Sequence, residues 1–174
     1  MPEEKYVVLA NPIASDMAAM RTSLLPGLVK AAVHNLSRQR HRLKLFETGL
    51  RFKFEAQESG LKQSPMIAGL IVGDRMDESW LSKREAIAKP NAAADAFDFY
   101  DLKGDVQSIL KMALENAASE VEYLPVAEDS GSRFLHPGQS AVVLADGEKI
   151  GVLGQLHPKL QQILDISVDL WVFE

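Results

Sequence analysis

The segment from Ser140 to Leu156 carries the pattern that most constrains the fold. Two β-rich runs, Ser140–Ala145 and Lys149–Leu156, lie on either side of Asp146-Gly147. Asp-Gly between two apolar runs is a strong hairpin signal, because both residues tolerate the positive φ angles that a two-residue turn needs. Since a hairpin joins antiparallel neighbours, a sheet that contains this one cannot be purely parallel.

Two amphipathic helices are predicted from apolar residues at three- and four-residue spacing. The first covers Ser23–Gln39, with Pro26 in the first turn, where its missing N–H would have no partner. The second begins shortly after Asp101. Their apolar stripes are Leu25, Leu28, Val29, Ala32, Val33 and Leu36 in the first helix and Leu102, Val106, Ile109, Leu110 and Ala113 in the second.

Shorter runs predict the remaining strands. Arg40–Phe46 alternates with a period of two, Gly49 is predicted to break it, and Leu50–Phe54 is predicted to return as the second strand of a hairpin. Strands joined by hairpins and interrupted by helices predict an α+β fold, an antiparallel sheet with helices on one side. Further predicted elements are strands at Pro65–Val72, Glu120–Leu124 and Val168–Phe173, a short helix from Pro158, a turn-like stretch at 55–64, and loops at 86–96 and 128–133.

Length and charge set the class of protein. A chain of 174 residues normally forms one domain, so residues 1–174 are predicted to be a single module. The net charge of −5 argues against a general nucleic-acid binder, and the lack of cysteine excludes disulfides and suits a reducing cytosol. No apolar run approaches the roughly 20 residues that span a bilayer, so no membrane association is expected. We expect a soluble, cytoplasmic protein.

Four carboxylates are the first candidate for chemistry. Asp95, Asp98, Asp101 and Asp105 would share a face of a continuous helix and could bind Mg²⁺. We favour the alternative, in which Asp101 caps the helix that follows and the other acids are solvated.

The histidines and serines suggest no catalytic group. His136 and His157 each precede a proline, which indicates local structure, and His34 and His41 are not spaced for a metal site. No nucleophile elbow and no phosphate-binding glycine loop is present. No catalytic, cofactor-binding or metal-binding residue is therefore assigned.

A basic cluster is the best candidate for contact with nucleic acid. A stripe of this kind can contact phosphates, although a solvated face that balances the acidic remainder is the simpler interpretation. The cluster comprises Arg21, Lys30, Arg38, Arg40, Arg42 and Lys44, and the RNA-contacting candidates within it are Lys30, Arg38, Arg42 and Lys44.

Several sequence blocks resemble one known family. They are NPI at 11–13 with RTSLLPGL at 21–28, LFETGLRF at 45–52, FDFYDLKGDV at 97–106, LHPGQSAVV at 135–143 and IGVLGQLHP at 150–158. With Asn35 and Arg38, these blocks resemble the β subunits of bacterial phenylalanyl-tRNA synthetases along nearly the whole chain.

The resemblance implies a fold like the catalytic core of class II aminoacyl-tRNA synthetases. It implies an (αβ)₂ tetramer of the protein-synthesis machinery in which the α subunit joins phenylalanine to tRNA(Phe), using ATP and Mg²⁺. The β-subunit core module would be catalytically silent and would help to build the α–β interface. The fragment itself would then need no cofactor and would be inactive alone.

Lys53 gives that silence a physical basis. Active class II cores place an arginine that grips the ATP α-phosphate where this chain has Lys53, in Phe52-Lys53-Phe54-Glu55. A lysine lacks the planar fork for a bidentate grip. Arg51 is nearby but is expected to point to the opposite face of the sheet. A second family arginine would lie beyond Glu174, and the chain is expected to be truncated there.

Two alternatives stay open beside the scaffold interpretation. One is a module that contacts the tRNA acceptor arm through Lys30, Arg38, Arg42 and Lys44. The other is a stand-alone paralogue with an activity of its own. In each case an exposed apolar surface is expected, around Leu24 and Leu25.

Overall fold

The computed structural model describes residues 6–14, 18–55, 60–76, 96–114, 120–126 and 132–174. Within these ranges the chain forms six strands and three helices. They are, in order, α1 Leu25–Leu36, β1 Leu43–Glu55, β2 Gly60–Val72, α2 Phe99–Ala113, β3 Val121–Pro125, β4 Leu135–Ala145, β5 Glu148–Leu156, α3 Pro158–Ile163 and β6 Leu170–Phe173.

All six strands lie in one antiparallel sheet. The order across it is β1-β2-β6-β5-β4-β3. The short last strand, β6, therefore lies between β2 and β5 and joins the pair β1-β2 to the group β5-β4-β3. The predicted α+β class with an antiparallel sheet is confirmed. The predicted hairpin at Asp146-Gly147 is also confirmed: it joins β4 to β5, and both turn residues have positive φ.

The helices cover both faces of the sheet, so the prediction of helices on one side is wrong. On the face that we call the back, α1 packs with Leu70, Val152 and Leu170, and α3 joins the same cluster. On the front face, α2 places Leu102 against Ile71, Leu153 and Trp171. Neighbouring residues of one strand supply the two clusters, because side chains alternate across a sheet.

β1 is one continuous strand rather than two. Its 13 residues pair without a break with β2, and Gly49 lies opposite Met66 in that ladder. Gly49 leaves room on the back face for the Arg21 guanidinium, since a Cβ there would clash with its Nη2. β2 begins at Gly60 rather than Pro65, and β1 extends to Glu55, so the turn-like prediction for 55–64 is wrong at residue 55 and over residues 60–64.

The remaining boundaries differ from the predictions by up to five residues, and α2 begins at Phe99, before Asp101 rather than after it. β6 begins at Leu170 rather than Val168, and β4 begins five residues earlier than predicted, at Leu135. Residues 86–95 of one predicted loop and 128–131 of the other lie outside the described residues. In the ranges that are described, no helix is long and apolar enough to span a membrane.

Candidate functional site

The four basic residues proposed to contact RNA lie in two separate places. Lys30 and Arg38 are exposed on α1, which packs on the back face, and the Arg38 guanidinium contacts the His34 imidazole. Arg42 and Lys44 lie on the front side, over the ring of Phe97, with the Lys44 Nζ 5.0 Å from its centroid.

Both front-side cations are engaged in structural contacts. The Arg42 Nε donates to the Asp74 carbonyl at 2.9 Å, and the Lys44 Nζ pairs with Asp105 on α2 at 2.9 Å. The structure therefore does not bring the four residues onto one face. Contact with RNA stays a prediction.

The carboxylates at the start of α2 form a helix cap. Asp98 is the N-cap, and its Oδ1 accepts from the backbone N–H groups of Tyr100 and Asp101. The Asp101 carboxylate accepts in turn from the Asp98 N–H at 2.8 Å, which completes a capping box. The prediction that Asp101 is the cap residue is therefore wrong in its detail: Asp98 is the N-cap, and Asp101 takes part in the capping box as the third helical residue. Asp98 and Asp105 are paired with Arg75 and Lys44 rather than simply solvated.

Arg75 joins the same cap and sets its electrostatics. Its guanidinium donates to Asp98 at 2.7 Å and to Asp101 at 2.9 Å. Burial by itself would raise the pKa of Asp101, but hydrogen bonds from Arg75 and from the Asp98 backbone hold it below the ordinary 3.8. Because the carboxylates of Asp98 and Asp101 already bind Arg75 and the backbone of the helix start, they do not fit a Mg²⁺ site. Asp95 lies outside the described residues.

The two histidine–proline steps are local structure, as predicted. The His157 Nδ1 accepts from the Lys159 N–H at 3.1 Å and caps α3. The His136 Nδ1 accepts from the Gly138 N–H at 3.0 Å within β4. Among the described residues no three histidine, aspartate or glutamate side chains are grouped to hold a metal ion.

Arg51 and Lys53 point to the same face of the sheet, so the expectation that Arg51 points away is wrong. In the β1–β2 ladder they lie opposite Ser64 and Lys62, two residues apart, and residues two apart share a face. Both line a cavity of about 1260 Å³ on the back face. The Arg51 Nε is buried there without a hydrogen-bond partner in the described structure.

This cavity has an apolar floor and a basic rim. It runs along α1 and is also lined by Leu160 of α3 and by Leu164, which follows that helix. Exposed cations at the rim include Lys53 and Lys149, whereas Glu174 is the one carboxylate among the lining residues that the structure describes. The apolar floor is formed by Leu25, Val29, Val33, Met66, Phe134, Val152, Leu156 and Val172.

Glu174 is a structural residue that the sequence did not reveal. Its carboxylate accepts from the Leu24 N–H at 2.6 Å and from the Ser23 hydroxyl at 2.8 Å, so it caps the start of α1. No local pattern could identify this role, because the partners are 150 residues apart along the chain.

The exposed apolar surface is not where it was expected. Leu24 and Leu25 are buried at the start of α1, with 1% and 6% of their area exposed. Four exposed apolar side chains lie on the front face of the β1–β2 hairpin, and others, such as Ile13, Met112 and Ile163, lie elsewhere. The four on the hairpin are Phe46, Leu50, Phe54 and Leu61.

Comparison with known sequences gives one consistent family. The sequence profile described as "Phenylalanyl tRNA synthetase beta chain CLM domain" matches residues 1–174. A protein of Hahella chejuensis named phenylalanine–tRNA ligase beta subunit is 45% identical over 173 residues, which are 99% of this chain and 19% of that protein.

Two further relatives bear the same name. The one from Pseudomonas syringae pv. tomato is 45% identical over 173 residues, 99% of this chain and 20% of the relative. The one from Vibrio parahaemolyticus is 39% identical over 175 residues, 100% of this chain and 21% of the relative. The chain thus spans about a fifth of the length of these curated relatives.

A solved structure confirms the fold. PylSc of Desulfitobacterium hafniense, a pyrrolysyl tRNA synthetase, superposes with a TM-score of 0.52. The match covers 94% of this chain and 49% of that one, at 15% sequence identity. A likeness at this identity shows a shared synthetase fold and carries no information about activity.

Proposed function

The chain belongs to the family of phenylalanyl-tRNA synthetase β chains, and on that premise we propose that it is a structural module of a phenylalanine–tRNA ligase. The end-to-end match to the CLM domain carries the proposal. The whole ligase would be an (αβ)₂ tetramer in the cytoplasm that charges tRNA(Phe) with phenylalanine, with ATP and Mg²⁺. This module would support the α subunit, which would hold the active site.

Several charged side chains form contacts within the fold, and this supports a scaffold role. Asp98, Asp101 and Arg75 are committed to the start of α2, and Lys44 pairs with Asp105 across to the sheet. These charged groups are therefore already engaged in contacts that stabilise the fold. At the position where the resemblance places a phosphate-gripping arginine, Lys53 offers a point charge instead.

Titration of the chain with ATP tests the proposal that this module has no catalytic role. Because Arg51 lies on the same side as Lys53, a phosphate could meet both cations, so the test is a demanding one. We expect no saturable heat with ATP or with a phenylalanyl-adenylate analogue. Saturable binding at micromolar concentration would contradict the proposal.

A second test uses the assembled ligase. Lys53→Ala in the β subunit should leave kcat and the KM for ATP within about twofold of the wild type, since no transition-state contact is removed. A large rise in the KM for ATP would show that this module handles the nucleotide.

A further inference from the structure

The cavity on the back face has the size and the lining of a small-molecule site. Its volume of about 1260 Å³ exceeds the roughly 300–1,000 Å³ of most ligand pockets. Aliphatic side chains form its floor together with Met66 and Phe134, and α1, Leu160 and Leu164 line it further. An apolar group that enters this cavity leaves water and contacts carbon atoms on several sides, which favours binding.

Arg51 places a positive charge against this apolar floor. A guanidinium stays protonated in proteins, and the buried Arg51 Nε has no hydrogen-bond partner among the described residues. In the β1–β2 ladder the residue opposite Arg51 is Ser64, which carries no charge. A buried donor without a partner has lost its hydration with nothing in exchange. A ligand with an anionic oxygen would supply the missing acceptor.

The balance of charge around the cavity also favours an anion. Its described lining residues include three lysines besides Arg51, namely Lys30, Lys53 and Lys149, and a single carboxylate, that of Glu174. Both oxygens of this carboxylate already accept hydrogen bonds at the start of α1. An excess of cations along a cleft with apolar walls gives a positive potential, which attracts anions.

We infer that the cavity binds a small amphiphilic anion, with its apolar body on the floor and its carboxylate or phosphate group on the Arg51 guanidinium. The planar fork of a guanidinium suits both oxyanions, because it can donate two parallel hydrogen bonds to either. Such a ligand differs from a nucleotide, since the ribose and base of ATP carry many polar groups to which an aliphatic floor offers no partners. Binding of this kind goes beyond the proposed function, which it neither needs nor contradicts.

Calorimetric titration of the full-length β subunit tests this site. The ligands are decanoate and decyl phosphate, each kept below the concentration at which it forms micelles. We expect saturable binding of at least one of them, with one site per subunit. Decyltrimethylammonium has the same chain and the opposite charge, so it should bind at least about tenfold more weakly.

Two results of the titration would overturn the inference. One is the absence of saturable binding of both anions to the full-length subunit, even if residues 1–174 alone bind them, because another part of the β chain would then fill the cavity. The other is binding of the cation as tight as that of the anions, because Arg51 would then play no part.

Arg51→Met keeps an unbranched apolar side chain but removes the charge and the donors. It should weaken binding of the anion about tenfold or more, because a charge-assisted hydrogen bond is lost. Arg40→Met is the matched control: Arg40 is exposed and does not line the cavity, so affinity should stay within about twofold of the wild type. Circular dichroism of both variants checks that the fold is kept. Equal affinities of the two folded variants would contradict the inference.

Photo-labelling of the wild-type subunit gives a readout that does not depend on the stability of a variant. A decanoate analogue with a diazirine at the end of its chain should label residues of the floor, such as Val29 and Val33, as located by mass spectrometry. Excess decanoate should suppress the label, and excess ATP should not. Label found only outside the lining residues, or suppression by ATP, would show that the cavity is not a site for an amphiphilic anion.

Discussion

Gly154 shows how a single residue fixes the path of two strands. It is buried in β5, beside the irregular stretch of β4 between Leu135 and Ser140. A Cβ at this position would lie 2.6 Å from the Gln139 carbonyl oxygen and 2.7 Å from the Ser140 Cα. Backbone atoms cannot turn aside as a flexible side chain can, so only glycine allows the two strands to approach this closely.

Gly154→Ala is therefore expected to lower the free energy of unfolding by about 1–3 kcal/mol, the range found for overpacking. Urea denaturation followed by circular dichroism measures the change. Gly104→Ala is the control: nothing lies within 4 Å of a Cβ there, and alanine should stabilise α2 by about 0.5–1 kcal/mol. Equal effects of the two substitutions would refute the steric account.

Arg51 and Glu174 differ in how far their positions can be predicted from the sequence. The side of Arg51 follows from the period of two, and the expectation was wrong only because residues two apart were assigned to opposite faces. The cap made by Glu174 follows from no local pattern, because it depends on where the end of β6 meets the start of α1. The first could be predicted from sequence and the second could not.

At the scale of elements, the start of α2 joins capping to an ion pair. Asp98 and Asp101 satisfy each other's backbone N–H groups, and Arg75 forms an ion pair with each carboxylate. The three groups also tie the end of β2 to α2, since Arg75 lies three residues beyond Val72. The cap thus fixes the position of the helix as well as its first residue.

Stability should fall in acid through this cap. Because the pKa of Asp101 is lower in the folded chain than its ordinary 3.8, its contribution is complete above about pH 4 and is lost as pH falls below that value. Asp101→Asn should reduce the difference in unfolding free energy between pH 7 and pH 3, measured by urea denaturation at each pH. An unchanged difference would show that other carboxylates carry the acid sensitivity.

At the scale of the whole molecule, one sheet supports both hydrophobic clusters. Leu170 belongs to the back cluster and Leu153 to the front cluster, and both are fully buried. The strands that carry them, β6 and β5, are hydrogen-bonded neighbours. We propose on this basis that residues 1–174 form a single module with one cooperative unfolding transition.

Leu153→Ala and Leu170→Ala test that proposal from the two faces. Each should lower the free energy of unfolding by about 2–5 kcal/mol, because each leaves a cavity in a packed core. Thermal unfolding followed by circular dichroism should show one transition in both variants. Two separate transitions in either variant would mean that the faces unfold independently.

The sequence by itself determined the types of most elements and the class of the fold. Helical stripes, strand alternation and the Asp146-Gly147 turn are local signals, because they depend on residues within a few positions of each other. The exceptions were the join across Gly49 and the early start of β2, where the strand continues because its partner strand and Arg21 hold it.

Only the tertiary structure decided which surfaces the elements share. Whether helices cover one face or both, whether Lys30 lies beside Lys44, and which apolar residues stay exposed all depend on contacts between distant segments. Leu24 and Phe46 are both large apolar residues near the start of the chain, yet the first is buried and the second is 75% exposed. The physical reason is that burial is set by what packs against a residue, and packing partners come from anywhere in the chain.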